Sequence, residues 1–238
     1  MAFETYRRTL PGSAVEREAI DVGLRQHMLR VYNYMASGLC LTGVVAFVTA
    51  NSPELMQALY GTPLRWVVML APLAFVFFLS FKIQSIKAST AQAIFWAFAA
   101  VMGLSMATIF VVFTGASIAR VFFISAGTFA AMSLYGYTTK KDLSGWGSFL
   151  FMGLIGIIIA SIVNMFIAST ALHFIVSVVG VLVFVGLTAY DTQRIKEAYS
   201  EHHDSETSGK LAIWGALSLY LDFINLFMML LRLFGDRR

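Results

Sequence analysis

Seven apolar runs of about twenty residues each, near 30–50, 66–86, 91–113, 117–138, 147–168, 172–194 and 212–234, constrain this chain more than any other feature. A helix crosses a hydrocarbon core of about 30 Å with roughly that many residues. In lipid the backbone must satisfy its own hydrogen bonds, so each run predicts a spanning helix. No run alternates apolar and polar residues between turn signals, which argues against a β-barrel. Only 13% of the residues are charged and 58% are hydrophobic, where a soluble domain carries about 25% charge. The predicted fold class is all-α: a polytopic membrane bundle of seven transmembrane segments over residues 30–238, behind a polar N-terminal arm at 1–29. The connections are short, so one membrane domain is expected.

Basic residues orient such a bundle, because Lys and Arg accumulate on the cytoplasmic side. The arm holds Arg7, Arg8, Arg17, Arg25 and Arg30 among Glu4, Glu16, Glu18 and Asp21. It reads as a mobile or interfacial cytoplasmic arm. With the N-terminus inside, the inner segments also hold Lys82, Lys87, Lys140, Lys141, Arg194, Lys196 and Lys210, and the outer ones hold Arg65 and Arg120. Arg232, Arg237 and Arg238 oppose this pattern if the last run crosses fully; the sequence leaves open whether it crosses or re-enters. The net charge of +4 is explained by orientation, and nucleic acid is not an expected partner. No small-residue cleavage pattern follows the first run, so no cleavable signal is expected. Cys40 is the single cysteine. It excludes an intrachain disulfide and reads as a small buried thiol.

Two acids interrupt the apolar runs: Asp191 in VGLTAYDTQ and Asp222 in LSLYLDFINLF. A charge at the centre of a membrane helix costs about 2.5–3.5 kcal/mol on insertion scales, so such residues usually face a cavity or a partner. The sixth and seventh runs form a hairpin around the polar Glu197–Lys210 segment. Asp191 lies about one turn before Arg194, and Asp222 lies roughly 15 Å into the last run at 1.5 Å per residue. Both carboxyls are expected to meet in the cytoplasmic half. Desolvation disfavours the charged form of a carboxyl, two neighbours titrate as a pair, and carboxylate oxygens suit Ca²⁺. The pair is therefore the candidate pH sensor, ion path and transient Ca²⁺ site. The structural alternative is that each acid is protonated and hydrogen-bonded to Ser218, Tyr220 or Asn225, or to Thr188, Tyr190 or Thr192. Asn225 shares a face with Asp222, and Tyr190 adjoins Asp191; both are candidate supporting polar residues.

Lys82 and Lys87, at the inner end of the second run, form a possible cationic latch for Asp191. Otherwise they snorkel to the headgroups. Arg232 lies roughly 15 Å beyond Asp222 and reads as an interfacial anchor. His202 and His203 titrate near neutrality but read as a solvated loop pair. His27 and His173 read as lone interfacial residues. The glycines and alanines within the runs read as tight helix packing.

The Tyr190–Asp191 pair, the Leu219–Phe227 stretch LYLDFINLF, the LLRLFG ending at Leu230–Gly235 and KKDLS at Lys140–Ser144 before Trp146 resemble the Bax inhibitor-1 family, in its bacterial form. The resemblance covers nearly the whole chain. It implies seven helices with the last one central and two groups of three around it. It implies a pH-sensitive Ca²⁺ leak in which Asp191 and Asp222 carry the pH response, with Ca²⁺ as permeant ion and no cofactor. It also implies links, for some bacterial members, to regulation of a membrane-bound ATP-dependent protease. Some members pair the sixth-span acid with an arginine on the second span. Here only Lys82 and Lys87 are available, and a lysine lacks the bidentate fork.

Three functions compete. The first is a pH-sensitive cation leak, with Ca²⁺, protons and the bilayer as partners and a bacterial inner membrane as the expected location. The second is a non-transporting regulator that binds other membrane proteins. The third is an intramembrane aspartyl protease. The last is disfavoured because the second acid follows Leu-Tyr-Leu instead of Gly-x-Gly and the later Pro-Ala-Leu is absent, so no enzymatic activity is expected.

Overall fold

Apolar length sets the architecture. The structure, a computed structural model, describes the backbone of residues 12–238 and side chains from Val22 onward. The described residues form nine helices: α1 (Gly12–Ala50), α2 (Pro53–Tyr60), α3 (Leu64–Lys82), α4 (Ala88–Met106), α5 (Thr108–Val112), α6 (Gly115–Thr138), α7 (Ser144–Ile167), α8 (Thr170–Glu197) and α9 (Ser205–Phe234). Seven segments are long and apolar enough to cross a membrane, with α4 and α5 sharing one; the short α2 lies between the first two. The chain is thus a polytopic membrane protein.

Local chemistry marks the ends. Thr114, Ser169 and Asp204 cap α6, α8 and α9, accepting from the backbone N–H of Ser117, Leu172 and Thr207. These caps satisfy donors that a helix start leaves free. Ala168 turns the chain between α7 and α8 in the left-handed conformation, φ 51°, and Asn164 Oδ1 accepts from Ser169 N at 3.0 Å.

The last helix is the axis of the bundle. In its span 61% of the apolar window is buried, against 11–33% in the other six. It packs against α1 and α4 on one side and α6 and α8 on the other, while α3 packs on α4 and α7 on α8. Spans one to three and four to six therefore form two groups around the seventh. Close approach is built in: a Cβ on Gly136 of α6 would fall 2.2 Å from the carbonyl oxygen of Ala189 on α8.

The loops after α3, α6 and α8 lie on one face of the bundle, here the basic-loop face. On the opposite face the chain end closes onto the α5–α6 joint. Phe113 and Arg237 form an antiparallel bridge, Thr114 N donates to Asp236 O at 2.9 Å, and Arg120 pairs with Asp236 at 3.0 Å. The last helix therefore runs from the basic-loop face to the opposite face of the bundle, the arrangement of a full crossing and not of a re-entrant segment. Arg232, Arg237 and Arg238 sit beyond Asp222 on the far side from Lys140 and Lys141.

Three sequence expectations shift. The polar stretch before residue 30 is not wholly an arm: α1 begins at Gly12, and His27 and Met28 are buried in it. Its first eleven residues lie outside the described part of the chain. The polar segment 197–210 is a loop only as far as Asp204, because α9 starts at Ser205. Cys40 is exposed, not buried; the packed side of that turn is taken by Gly38 against Phe95.

Candidate functional site

The site is the contact between α8 and α9, and polar side chains fix both helices at the basic-loop face. Gln193 on α8 holds the α6–α7 loop from two sides: its Nε2 donates to Lys141 O and its Oε1 accepts from Leu143 N, each at 2.8 Å. Lys196 Nζ donates to Tyr137 O at 2.8 Å and lies 5.4 Å from the centre of the Tyr137 ring. On α9, Glu206 accepts from Ala88 N at 2.6 Å at the start of α4, and Lys210 donates to Gln84 O at 3.2 Å at the end of α3. Both groups of three spans are thereby tied to the helices that carry the acids.

Two carboxylates at this face accept from nearby backbone N–H groups: Asp142 from Ser144 and the α9 cap Asp204 from Thr207. Asp142 and Asp204 are held below the usual carboxylate range, chiefly by side-chain hydrogen bonds from Ser144 and Thr207. On the opposite face burial pushes the Tyr60 phenol up; its hydroxyl donates to Leu104 O at 2.6 Å.

The structure brings Asp191 and Asp222 together. Each carboxyl is a neighbour of the other on the wall of one cavity. Asp222 is only 5% exposed, and its Oδ2 has no hydrogen-bond donor among the described residues. Two ionised carboxylates offer only acceptors, so a proton between them is what would make a bond. The alternative in which each acid is satisfied by neighbouring hydroxyls does not hold for Asp222. Tyr220 bonds to Thr42 and Asn225 Nδ2 donates to Leu221 O at 2.8 Å, both away from it. Around Asp191, Thr188 and Thr192 are occupied by the α8 backbone.

Both acids line a cavity of about 480 Å³ between α3, α7, α8 and α9, with Ser148, Tyr190, Arg194, Ser218 and Asn225 among its polar walls. Tyr190 and Asn225, expected as supporting polar residues, are thus at the site. Beside Asp222, aromatic rings pack between α6 and α9: Phe122 lies 5.5 Å from Phe223 and 6.2 Å from Phe227, and Phe129 lies 5.6 Å from Phe223, between ring centres.

The cation beside the pair is not a lysine. Lys82 and Lys87 are exposed, line neither cavity at the site and form no ion pair among the described residues. The expected latch is therefore not formed. At the end of α3 the chain turns so that Ile83 is buried, while Lys82 is exposed and the exposed Gln84 lines the smaller cavity. Arg194, one turn after Asp191 on the same helix, is the charge that acts on it. Arg194 was legible only as an orientation signal; its spacing of three from Asp191 was the available clue.

His202 and His203 are exposed in the loop, as expected. His27 is buried among protein side chains and lines a second cavity with Asp191. Nothing in its local sequence indicates this, since the partner elements come from far along the chain. No group of three or more His, Cys, Asp or Glu side chains that could hold a metal ion occurs among the described residues.

A seven-span bundle wrapped around its last helix defines a polytopic helical membrane protein. Residues 24–238 match the model of the family described as "Inhibitor of apoptosis-promoting Bax1", and the chain belongs to that family. It is 50% identical over 219 residues to the inner membrane protein YbhL of Escherichia coli K12, covering 91% of this chain and 94% of that one. It is 46% identical over 235 residues to a protein of Rickettsia prowazekii, covering 98% of each. A protein of Caulobacter vibrioides is 44% identical over 243 residues, covering 98% of this chain and 97% of that one.

Proposed function

We propose that the protein is a pH-sensitive cation leak, with Ca²⁺ as the permeant ion and the Asp191–Asp222 pair as its proton switch. One observation carries the reading: a buried carboxyl oxygen of Asp222 with no donor, set against the carboxyl of Asp191 at a cavity wall. Two adjacent carboxylates repel strongly where the dielectric is low. One shared proton replaces that repulsion with a hydrogen bond and ties α8 to α9. Loss of the proton separates the helices and presents carboxylate oxygens to a cation. Two acids without a third ligand hold Ca²⁺ weakly, which suits passage more than storage, because stable sites use six to eight oxygens.

In this reading the basic-loop face is cytoplasmic, following the Lys and Arg asymmetry, and the membrane is a bacterial inner membrane, as the name of the Escherichia coli relative has it. The test is Ca²⁺ flux into liposomes holding the purified protein, measured across pH beside Asp191→Asn and Asp222→Asn. The expected result is a pH-dependent wild-type flux whose pH dependence flattens in both variants. Absence of flux at every pH would sink the leak and favour a regulator that binds other membrane proteins.

A further inference from the structure

Among the described residues, two buried side-chain polar atoms lack a hydrogen-bond partner: Asp222 Oδ2 and His27 Nε2. Buried polar atoms are nearly always paired in folded proteins, and exceptions mark hydrated or functional positions. The two line adjoining cavities. His27 lines a cavity of about 220 Å³ on the basic-loop side, and Asp222 lines the larger one. Asp191, Arg194, Trp214 and Ser218 line both. Asp191 therefore stands between the imidazole and the deeper acid.

His27 is 6% exposed and is held from several elements. The Tyr199 ring, just after α8, lies 5.6 Å from it. Tyr199 in turn is seated on α1, where a Cβ on Gly23 would fall 2.0 Å from its hydroxyl oxygen. The titratable and charged groups facing His27 are Arg30 on its own helix, His203 from the α8–α9 loop, Tyr199, and Asp191 and Arg194 across the cavity, with the neutral Gln84 from the α3–α4 turn. No carboxylate other than Asp191 shares that cavity.

We propose that His27 is the proton-exchange residue of the aspartate pair. The inference rests on the reading of that pair as a proton switch. An imidazole suits the task because one ring nitrogen can accept a proton while the other donates one. A proton arriving from water at the basic-loop face binds one ring nitrogen, and the other nitrogen releases a proton across the cavity to the Asp191 carboxylate. The imidazole ends neutral in its other tautomer, and one carboxyl O–H has formed. Ser218 and Trp214, on the shared wall, can steer water along this route. The competing route reaches Asp191 through the larger cavity, past Ser148 and Tyr190.

Time-resolved infrared spectroscopy after a pH jump on the purified full-length protein reads this directly. The C=O band of the protonated pair, assigned by its loss in Asp191→Asn and Asp222→Asn, reports proton arrival without any ion flux. In His27→Gln and His27→Ala the band should rise about tenfold or more slowly, with unchanged final amplitude. Added imidazole should restore the rate in His27→Ala, which a merely structural role would not allow. Equal rates in wild type and both variants would overturn the role of His27 and leave the pair as switch intact. A wild-type protein with no pH-responsive carboxyl band would overturn the switch, and the relay with it. A slowed band without Ca²⁺ flux would uphold the relay and sink only the leak.

Discussion

Tyr220 and Thr42 meet hydroxyl to hydroxyl at 2.7 Å, and this contact anchors the central helix on the side turned away from Asp222. Thr42 directs its single proton to backbone carbonyls, 2.8 Å to Ala99 O or 3.0 Å to Gly38 O, so Tyr220 is the donor. The Tyr220 ring packs edge-on to Phe95 and Phe98 of α4, at 6.2 Å and 5.2 Å between centres. Two residues further along, the helix has turned by about 200° and presents Asp222 to α8. One face of α9 is thus fixed to the first group of spans, and the other carries the acid. Tyr220→Phe should lose about 1 kcal/mol of stability. Thr42→Val should lose more, about 1–3 kcal/mol, because it leaves buried partners unsatisfied. Unfolding in mixed micelles measures both, and the reverse order would show that the hydroxyl pair is not the anchor.

Asp222→Leu should still give folded protein. Removing a buried acid relieves its desolvation as well as ending its contact with Asp191. Size-exclusion chromatography and a thermal melt in detergent check this, and a protein recovered only as aggregate would make Asp222 a structural requirement.

Arg194→Gln should move the pH response of Ca²⁺ flux upward, because a neighbouring cation favours the ionised form of a carboxyl pair. Lys82→Gln and Lys87→Gln should leave the profile in place, since neither lysine reaches the cavities. A lysine variant with the larger shift would restore the second-span latch.

The Asp204 cap should depend on pH with a definite sign. Thr207 holds this carboxyl below its ordinary range, so the stabilisation is present above the unfolded value and is lost as pH falls through the folded one. Asp204→Ala should fray the start of α9 at neutral pH, while Asp204→Asn should keep most of the cap. Amide exchange over residues 205–210 is the measurement. Equal exchange in wild type and Asp204→Ala would show the cap to be idle.

The two ends of the bundle give a topology test. Single cysteines at Lys140 and Arg238, in a Cys40→Ser background, should label from opposite sides of the membrane. Labelling from one side would contradict a last helix that crosses fully.

The apolar runs alone determined seven spans, an all-α bundle and the presence of two acids inside it. That information is local, because length and hydropathy of one segment decide whether it can cross lipid. The family resemblance added the central place of the last helix. Tertiary structure decided what surrounds the acids. Arg194 replaced Lys82 and Lys87 as the cation because the turn after α3 buries Ile83 and leaves both lysines exposed, clear of the cavities. His27 joined the site because α1 packs against the chain after α8, more than 160 residues away, where Tyr199 covers it. Helix periodicity gives each residue a direction around its own axis, but which neighbour fills that direction depends on how seven helices pack together.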